Sequence, residues 1–443
     1  DVTAFVQAHP GGAQRIMMAA GGPLEAYWRL YGQHNHESVQ QLLQEYKIGE
    51  LDAPTDDRSI PDPYAHEARL PRPPNFRVRG AKPYNAEPPA EFADALVTPT
   101  ELMYIRNHLP VPTIDPDTYR LEVEVQGETK LELSLAELRA MPRHTVTACM
   151  QCGGNRRSAF TEVKEVKGLD WGSAAISNAI WGGVRLRDVL RLAGVTPDAE
   201  EAYERGLVNV VFSGLDVPRV GDFKDPEGGY SAHIDIDKGL APEVVLAFEM
   251  NGEPLPADHG FPLRVVVPGY VGARNVKWLG KISVGDEEAK SLWQRKDYKL
   301  MSPEHDMDDV EDLPPMNDMP PQSSCTRLDV SDDDGSITAS GYALSGGGRG
   351  IARVEISVDG GTTWEEAELT KAEQPLHKTW SWTLWSVRDL GAGEDVEHVI
   401  VKATDIAGNV QPQNSSSIWN LRGLNSNAWD RIYVRPVKKE SSP

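Results

Sequence analysis

Two proline-rich breaks divide this chain of 443 residues and limit what it can fold into. The first break runs from Asp52 to Pro74 and the second from His305 to Pro321, and both also carry many charged residues. Proline lacks a backbone N–H and disfavours the interior of helices and sheets, so such stretches separate folding units. A chain of this length favours about three domains. We predict units at 1–51, 75–317 and 318–443, with an exposed linker at 52–74.

The unit at 1–51 has helical spacing of its apolar residues. The spaced positions are Ile16, Met17 and Ala20, followed by Leu42, Leu43 and Tyr46. This pattern predicts a small, compact segment containing helices.

The unit at 75–317 mixes two periodicities. Leu121–Val125 and Leu131–Leu135 alternate apolar and polar residues, as half-buried strands do. Ser134–Arg139 and Leu186–Leu192 suggest short helices instead. We predict a mixed α+β domain.

The last unit reads as all-β. Its alternating positions are Val354, Ile356 and Val358, then Trp380, Trp382 and Leu384, then residues from Val399 to Ala403. Several short strands joined by Gly-rich turns in about 115 residues are typical of a sandwich.

Charge excludes one class of partner. Lys and Arg number 45 against 67 Asp and Glu, a formal net charge of −22. Nucleic acid requires a basic face, so we expect no nucleic-acid partner. A basic protein partner reached by electrostatic steering and simple solubility both explain the charge. The sequence holds no run of eighteen apolar residues, and we expect no membrane span.

The chain has three cysteines, too few for a disulfide framework. Cys149 and Cys152 form a single CxxC motif. One such pair is half a zinc site at most, so zinc is not expected. A redox dithiol and a single ligand thiolate both remain open at this point.

The segment Cys152–Arg157, with sequence CGGNRR, carries the most chemistry. Its glycine pair lets the backbone approach a ligand closely, and its two arginines supply forked donors for an anion. A thiolate in that field is held ionised, as a soft metal ligand must be. A buried structural cysteine beside a surface arginine pair is the alternative that residue types alone leave open.

Nine motifs together resemble the sulfite oxidase family. They occur in one order and span essentially the whole chain: Tyr104–Pro112, Cys152–Arg157, Val166–Trp171, Glu249–Gly252, Asp258–Pro262, Val267–Gly269, Gly272–Leu279, Asp297–Lys299 and Ile418–Gly423. Two positions depart from the family pattern: Cys149, whose role the sequence does not give, and Gly153, where alanine is usual.

The resemblance implies a molybdenum–molybdopterin cofactor with Cys152 as the thiolate ligand of the metal. The residues implied to hold the pterin are Tyr104, Ile105, Arg106, Asn107, His108, Asp216, His259, Arg264, Asn275, Val276 and Lys277. The implied pocket for sulfite and sulfate consists of Arg106, Arg157, Trp171, Tyr298 and Arg422. Several guanidinium groups with added phenol and indole donors suit a small, doubly charged oxyanion. Of these residues, Cys152, Tyr298, Arg106 and Arg157 are the implied catalytic set.

The implied reaction is the two-electron oxidation of sulfite to sulfate by oxygen-atom transfer at the molybdenum–pterin centre. Nitrate reductase shares this type of domain and is the nearest enzyme alternative. A different alternative is a dimeric electron-transfer or binding protein that has lost the cofactor. The family further implies that the last unit is an immunoglobulin-like dimerisation domain, and therefore a homodimer.

The first unit resembles part of a cytochrome b5-type haem domain, a small α+β fold. His9-Pro-Gly-Gly12 and Leu30–His34 carry this resemblance, which implies His9 and His34 as the two axial ligands of a haem b iron. Two imidazoles saturate haem iron and suit electron transfer. The family domain begins further upstream with strands that close the haem crevice, so haem retention is left open. The resemblance implies cytochrome c as the electron acceptor and the mitochondrial intermembrane space as the location, with any targeting peptide upstream of Asp1.

Overall fold

The computed structural model describes most of the chain. The described residues are 1–9, 13–17, 19–20, 24, 27–28, 34, 37–50, 62–217, 219–220, 223–224, 228–331, 333–390 and 396–434. Within these ranges, every helix is too short or too polar to cross a membrane.

The described part of the first unit is helical. It contains a 3-10 turn at Thr3–Ala8 and two helices, α1 at Ala13–Met17 and α2 at Glu37–Glu45. The ring of Phe5 lies 5.6 Å from that of Tyr46, which joins the first turn to the end of α2. The helical spacing of the apolar residues is confirmed at α1 and α2.

The middle unit contains both strands and short helices. Its strands are β1 Arg77–Ala81, β2 Tyr84–Glu87, β3 Ile105–Arg106, β4 Arg120–Val125, β5 Glu128–Ser134, β6 His144–Gln151, β7 Ile176–Arg185, β8 Asn209–Gly214, β9 Arg219–Val220, β10 Phe223–Lys224, β11 Ser231–Asp235, β12 Val245–Met250, β13 Glu253–Pro254, β14 Arg264–Val266 and β15 Leu279–Gly285. Its α-helices are α3 Leu135–Ala140, α4 Ser158–Thr161, α5 Leu186–Leu192, α6 Ala199–Glu204 and α7 Ile236–Leu240. Single 3-10 turns lie at Ala65–Arg69, Ala90–Phe92, Thr100–Leu102, Ala257–His259, Gly272–Arg274 and Val310–Asp312, and a π-helical turn lies at Trp293–Asp297.

These strands form two larger sheets and two small ones. One sheet has the order β11-β8-β15-β4-β5, in which β15 and β4 pair parallel and the other neighbours pair antiparallel. The other has the order β13-β12-β7-β6, with β14 also paired to β12. A three-stranded sheet β1-β2-β3 and the pair β9-β10 complete the unit. The mixed α+β prediction is confirmed.

Local sequence explains where these elements begin and end. In β4, Leu121, Val123 and Val125 are buried in alternation, as the pattern predicted. Ser134 ends β5 and caps α3 through a capping box, because its hydroxyl accepts the Glu137 N–H (3.2 Å) and the Glu137 carboxylate accepts the Ser134 N–H (2.8 Å). The predicted helices at Ser134–Arg139 and Leu186–Leu192 are confirmed as α3 and α5.

The segment from Asp62 packs onto the middle unit. Composition predicted an exposed linker up to Pro74, yet Tyr64 and Glu67 are each only 4% exposed. The Glu67 carboxylate accepts the backbone N–H of Val111 (2.9 Å). Residues 51–61 lie outside the described ranges. The second half of the predicted linker is therefore part of the structure that surrounds the middle unit.

The last unit is an antiparallel sandwich, as predicted. Its strands are β16 Gln322–Val330, β17 Ile337–Leu344, β18 Ile351–Ser357, β19 Glu365–Glu366, β20 Glu368–Lys371, β21 Thr383–Leu390, β22 His398–Asp405 and β23 Asp430–Tyr433, and a 3-10 turn lies at Ser415–Ser417. They form the sheets β16-β17-β21-β20 and β19-β18-β22-β23. Ile337 and Trp385 from the first sheet share one core with Val354 and Val401 from the second, so the sheets pack face to face.

The middle and last units are joined at the segment after Cys152. Asn155 donates to the Tyr342 hydroxyl (2.9 Å), which donates in turn to the Ser173 carbonyl (2.7 Å). The Arg156 guanidinium donates to the Ser323 and Ala428 carbonyls and pairs with Asp430 at 3.0 Å. The loop at 418–424 of the last unit also contacts the middle unit, since the Lys167 N–H donates to the Leu421 carbonyl (2.7 Å).

Candidate functional site

Cys152 follows the end of β6 and is 4% exposed. Its N–H donates to the Ala175 carbonyl (2.9 Å), and its carbonyl accepts the Asn155 N–H (2.9 Å), which folds the CGGNRR segment into a tight turn. Cys149, Cys152 and Cys325 are all free thiols. Cys149 packs in the larger core cluster, which extends from the middle unit to Tyr342 and Trp382 of the last unit, whereas Cys152 packs in a second cluster beside Tyr104 and Trp171. The two cysteines therefore form no disulfide, and burial raises the pKa of the Cys149 thiol.

A single cavity gathers most of the predicted residues around Cys152. Eleven of them line it: Tyr104, Arg106, His108, Cys152, Asp216, His259, Arg264, Asn275, Val276, Lys277 and Tyr298. Sequence reasoning missed the other lining residues, which are Met103, Met150, Gly153, Tyr230, Asp258, Gly272, Ala273 and Trp278. Ile105 packs away from the cavity, against Phe76 and Ala86.

The missed residues Asp258, Gly272, Ala273 and Trp278 lie inside motifs that the sequence had already singled out. Their neighbours His259 and Asn275 were chosen, so a broader reading of the same motifs would include them. Tyr230 lies outside all of the motifs, so the sequence did not predict it as a site residue.

One side of this cavity carries a buried lysine. Lys277 donates to the Asn107 side-chain oxygen and to the Asp258 carbonyl (2.7 Å). Burial lowers the pKa of Lys277 to about 7 and raises the pKa of Asp216 to about 7. Burial also lowers the pKa of Arg264 to about 10, and its guanidinium donates to the His259 and Asn275 carbonyls (2.9 Å each). This side therefore offers cationic and amide donors in a water-poor setting.

The predicted anion pocket lies around Tyr298. The Tyr298 hydroxyl is 2.8 Å from His108 Nε2, and the His108 ring lies 4.5 Å from that of Tyr230. Burial, and then the charges of Arg106 and Lys277, lower the pKa of His108 well below its usual value, so this imidazole is neutral near pH 7. Burial raises the pKa of Tyr298, which keeps its phenol protonated.

Three arginines approach this pocket from different parts of the chain. Arg106 donates to the Asn85 side chain (3.1 Å) and to the Asn107 carbonyl (2.6 Å). Arg157 donates to the Leu169 carbonyl (2.7 Å) and to the Gly423 carbonyl (3.1 Å). Arg422 comes from the last unit and pairs with Asp297 at 2.8 Å.

The two arginines of CGGNRR separate in the structure. Arg157 interacts electrostatically with Cys152, Arg422 and Arg106, and burial followed by the two arginine charges lowers its pKa to about 10 despite the opposing effect of Cys152. Arg156 adopts a left-handed backbone conformation (φ 61°), and its bonds go to the last unit. Only Arg157 of the pair therefore lies near the other residues of the predicted anion pocket.

Unpartnered buried polar atoms mark this region as built for a ligand. Within the described chain, Trp171 Nε1, Asp216 Oδ1, Arg264 Nε and Arg422 Nε are buried without a hydrogen-bond partner. Buried polar groups are usually satisfied, and three of these four atoms, on Trp171, Arg264 and Arg422, are donors that suit an anionic group, whereas Asp216 Oδ1 is an acceptor. A soft thiolate flanked by these donors fits a molybdenum ion with an anionic pterin.

The two predicted haem ligands also lie near one another. The rings of His9 and His34 are 6.0 Å apart between centroids and nearly parallel, at 5°. Two imidazoles that bind one metal ion from opposite sides have ring centroids about 6 Å apart. This is the sum of two metal–nitrogen bonds of about 2 Å each and the two distances from nitrogen to ring centre. Trp28 packs 5.6 Å from the His34 ring. The two imidazoles therefore fit the opposite faces of one haem iron.

Three sequence families match the chain. "Cytochrome b5-like Heme/Steroid binding domain" matches residues 1–52, "Oxidoreductase molybdopterin binding domain" matches 108–293, and "Mo-co oxidoreductase dimerisation domain" matches 319–437. These matches agree with the molybdopterin and haem cofactors expected from the motifs.

Whole-chain relatives give the same result. Sulfite oxidase, mitochondrial, of Rattus norvegicus is 49% identical over 451 residues, which cover 99% of this chain and 80% of the rat protein. Sulfite oxidase of Gallus gallus is 48% identical over 444 residues, covering 97% of this chain and 93% of the chicken protein. The fold resembles that of the sulfane dehydrogenase SoxCD of Paracoccus pantotrophus, with a TM-score of 0.63 and 23% identity over 89% of this chain and 96% of that one. The chain therefore belongs to the sulfite oxidase family.

Proposed function

We propose that this protein oxidises sulfite to sulfate at a molybdenum–molybdopterin centre held by Cys152. One observation carries the proposal: a buried thiol lies in a cavity that Arg106 lines, and Arg157 beside this cavity interacts electrostatically with Cys152, Arg422 and Arg106. Sulfite and sulfate are doubly charged oxyanions, and converging guanidinium groups bind such anions with directed hydrogen bonds.

When bound, the molybdenum centre supplies the oxygen atom and accepts the two electrons. The chain itself binds and orients the anion. Arg106, Arg157 and Arg422 neutralise its charge, and Asp297 limits the net charge of the pocket by pairing with Arg422. Trp171 Nε1, buried without a partner, is free to donate to an anion oxygen, and Tyr298 adds a phenol donor.

His108 fixes the direction of the Tyr298 donor. Because the His108 imidazole is neutral, one ring nitrogen can accept the phenol proton in a hydrogen bond without adding charge. When the anion binds, rotation of the Tyr298 O–H about its C–O bond replaces the hydrogen bond to His108 with one to the anion. We assign Tyr104, His259, Arg264 and the segment Asn275–Lys277, with Asn107 and Asp216, to the pterin.

Electrons leave through the first unit in this proposal. His9 and His34 would hold a haem b, which would supply one-electron transfer to cytochrome c. The acidic net charge of −22 favours such a basic partner by electrostatic steering. The relatives named mitochondrial support a mitochondrial location, and we place the protein in the intermembrane space, where cytochrome c is available.

The molecule is proposed to be a homodimer. Residues 319–437 match a dimerisation domain, and a dimer of identical chains is expected to be symmetric about a two-fold axis. The proposed boundaries are 1–51 for the haem unit, 52–74 for a connecting segment whose second half packs on the middle unit, 75–317 for the molybdenum domain and 318–443 for the dimerisation domain.

The test compares substrates and acceptors in one preparation. We expect sulfite-dependent reduction of ferricyanide and of cytochrome c, with no comparable oxidation of a reduced dye by nitrate. Nitrate turnover exceeding sulfite turnover would favour the nitrate reductase alternative. A preparation that binds molybdenum and turns over neither anion would contradict the proposal.

A further inference from the structure

Arg72 lies in the segment that composition assigned to the linker, yet it is bound into the middle unit. Its guanidinium donates through Nε and Nη2 to both carboxylate oxygens of Asp258, at 2.9 Å each, and through Nη2 to Glu67 at 2.7 Å. It also lies 4.0 Å from the ring centre of Tyr84. The side chains of Arg72, Glu67 and Asp258 are 14%, 4% and 8% exposed, so this forked ion pair is largely removed from water.

The pair connects directly to residues that we assign to the pterin. Asp258 Oδ1 also accepts the Asn107 side-chain N–H (2.9 Å), and the Asn107 side-chain oxygen accepts a bond from Lys277. Lys277 bonds in addition to the Asp258 carbonyl (2.7 Å). Arg72, Asp258, Asn107 and Lys277 therefore form one continuous chain of hydrogen bonds that ends in the cavity.

Charge balance gives this chain a function. Asp258 lines the same cavity as Lys277, and its carboxylate opposes the binding of any anion there. With Arg72 paired to it, that carboxylate is neutralised from outside the cavity, and the Asn107 side chain bridges its Oδ1 to Lys277. Without Arg72, a buried and uncompensated carboxylate would draw the Lys277 ammonium to itself.

We propose that Arg72 is a positioning residue for the molybdopterin cofactor, which keeps Lys277 available to the anionic part of the pterin by neutralising Asp258. This inference rests on the proposed assignment of Asn107 and Lys277 to the pterin. It makes the segment that follows the haem unit a component of the cofactor site, so that cofactor binding and anchoring of this segment support each other.

The experiment measures molybdenum and pterin per protein chain in the full-length protein, without reference to turnover. Variants R72Q, R72K and the double variant R72Q/D258N are expressed with the cofactor and assayed by elemental analysis and by fluorescence of the oxidised pterin. Loss of a residue that orients ligands of a metal site typically lowers affinity 10- to 100-fold, so we expect R72Q to hold about tenfold less cofactor. R72K, which keeps the charge without the fork, should hold an intermediate amount.

The double variant separates charge balance from packing. R72Q/D258N removes both the cation and the carboxylate that it neutralises, and we expect its cofactor content to return most of the way to that of the unchanged protein. Lys238→Gln is the matched control, since Lys238 pairs with Glu243 at 2.6 Å with both side chains 13% exposed, and neither residue lines the cavity. It should leave the cofactor content unchanged.

Cofactor content in R72Q equal to that of the unchanged protein would overturn the inference. Failure of R72Q/D258N to recover would do so too, even where R72Q alone folds poorly, because a role in packing predicts a double variant no better than the single one. The unchanged protein tests the proposed function separately. If the unchanged protein holds no molybdenum, the proposed function and this inference are both refuted. If the unchanged protein and R72Q both hold the full amount of cofactor, only the role of Arg72 is refuted.

Discussion

Replacing Arg157 with glutamine removes a guanidinium group that is buried against backbone carbonyls and glycines of neighbouring segments. The side chain is 6% exposed and donates to the Leu169 and Gly423 carbonyls. A Cβ built at Gly154, Gly168 or Gly423 would lie within 2.4, 2.6 or 2.7 Å of the Arg157 side chain. Three glycines from three segments therefore leave room for this arginine, and a shorter neutral side chain cannot reproduce its bonds.

The magnitude follows from the bonds that are lost. A hydrogen bond from a charged donor contributes about 1.5–3 kcal/mol, and each 1.4 kcal/mol is tenfold. If Arg157 donates one such bond to sulfite, Arg157→Gln should lower kcat/KM by roughly 10- to 150-fold. Because the charge would stabilise the bound anion and stabilise the reacting state still more, we expect a higher KM and a lower kcat.

The assay is the steady-state oxidation of sulfite with ferricyanide, with rates expressed per bound molybdenum. Arg156→Gln is the matched control, since Arg156 is adjacent, 4% exposed and bonded to the last unit. It should lower the unfolding temperature while leaving KM for sulfite near that of the unchanged protein. An Arg157→Gln protein with unchanged kcat/KM would refute the assignment of Arg157 to the anion pocket.

Four further results are expected. Cys149→Ser should keep sulfite turnover and lose some thermal stability, because it places a hydroxyl in an apolar cluster; loss of turnover at full molybdenum content would argue for a direct role of Cys149. Binding of the anionic cofactor to the apoprotein should weaken about tenfold between pH 6 and pH 8. Lys277 loses its positive charge and Asp216 gains a negative charge as the pH rises through their pKa values of about 7. A cofactor affinity that does not change with pH would contradict this. His34→Ala should abolish reduction of cytochrome c and retain reduction of ferricyanide, and equal loss with both acceptors would count against a separate haem route. Sedimentation at micromolar concentration should show a dimer, and a deletion ending before Gln322 should, if soluble, be monomeric; a persistent dimer would place the interface elsewhere.

The sequence predicted the strands and helices whose formation depends on residues close together in the chain. The alternation in Leu121–Val125 and the Ser134–Glu137 capping box each involve residues within a few positions of one another, and both appear in β4 and α3. The all-β pattern of the last unit was predictable for the same reason. Eleven of the predicted residues line one cavity, and nine of these were predictable because they lie in short motifs, whereas Asp216 and Arg264 lie outside those motifs.

Long-range contacts were beyond the sequence. A proline-rich composition is compatible with a free linker and also with an extended segment packed on a domain. The nearby sequence therefore does not predict the burial of Glu67. Nor does it predict the pairing of Arg72 with Asp258, which is 186 positions away. The Asp297–Arg422 pair joins two units and is equally hidden. The arginine pair of CGGNRR was treated as one feature, because sequence does not reveal that a left-handed backbone at Arg156 turns the two side chains apart.

The most direct test of this account is sulfite oxidation by the Cys152→Ser protein. Serine is nearly isosteric, and Cys152 lies in a small cluster whose packing should tolerate it, so the fold and the pterin content should survive. An alcohol is a poor substitute for thiolate on a soft metal. We predict sulfite-dependent ferricyanide reduction in the unchanged protein and none above background in Cys152→Ser at matched pterin content. Near-normal turnover by Cys152→Ser would contradict the assignment of Cys152 as the molybdenum ligand, and with it the account of the site.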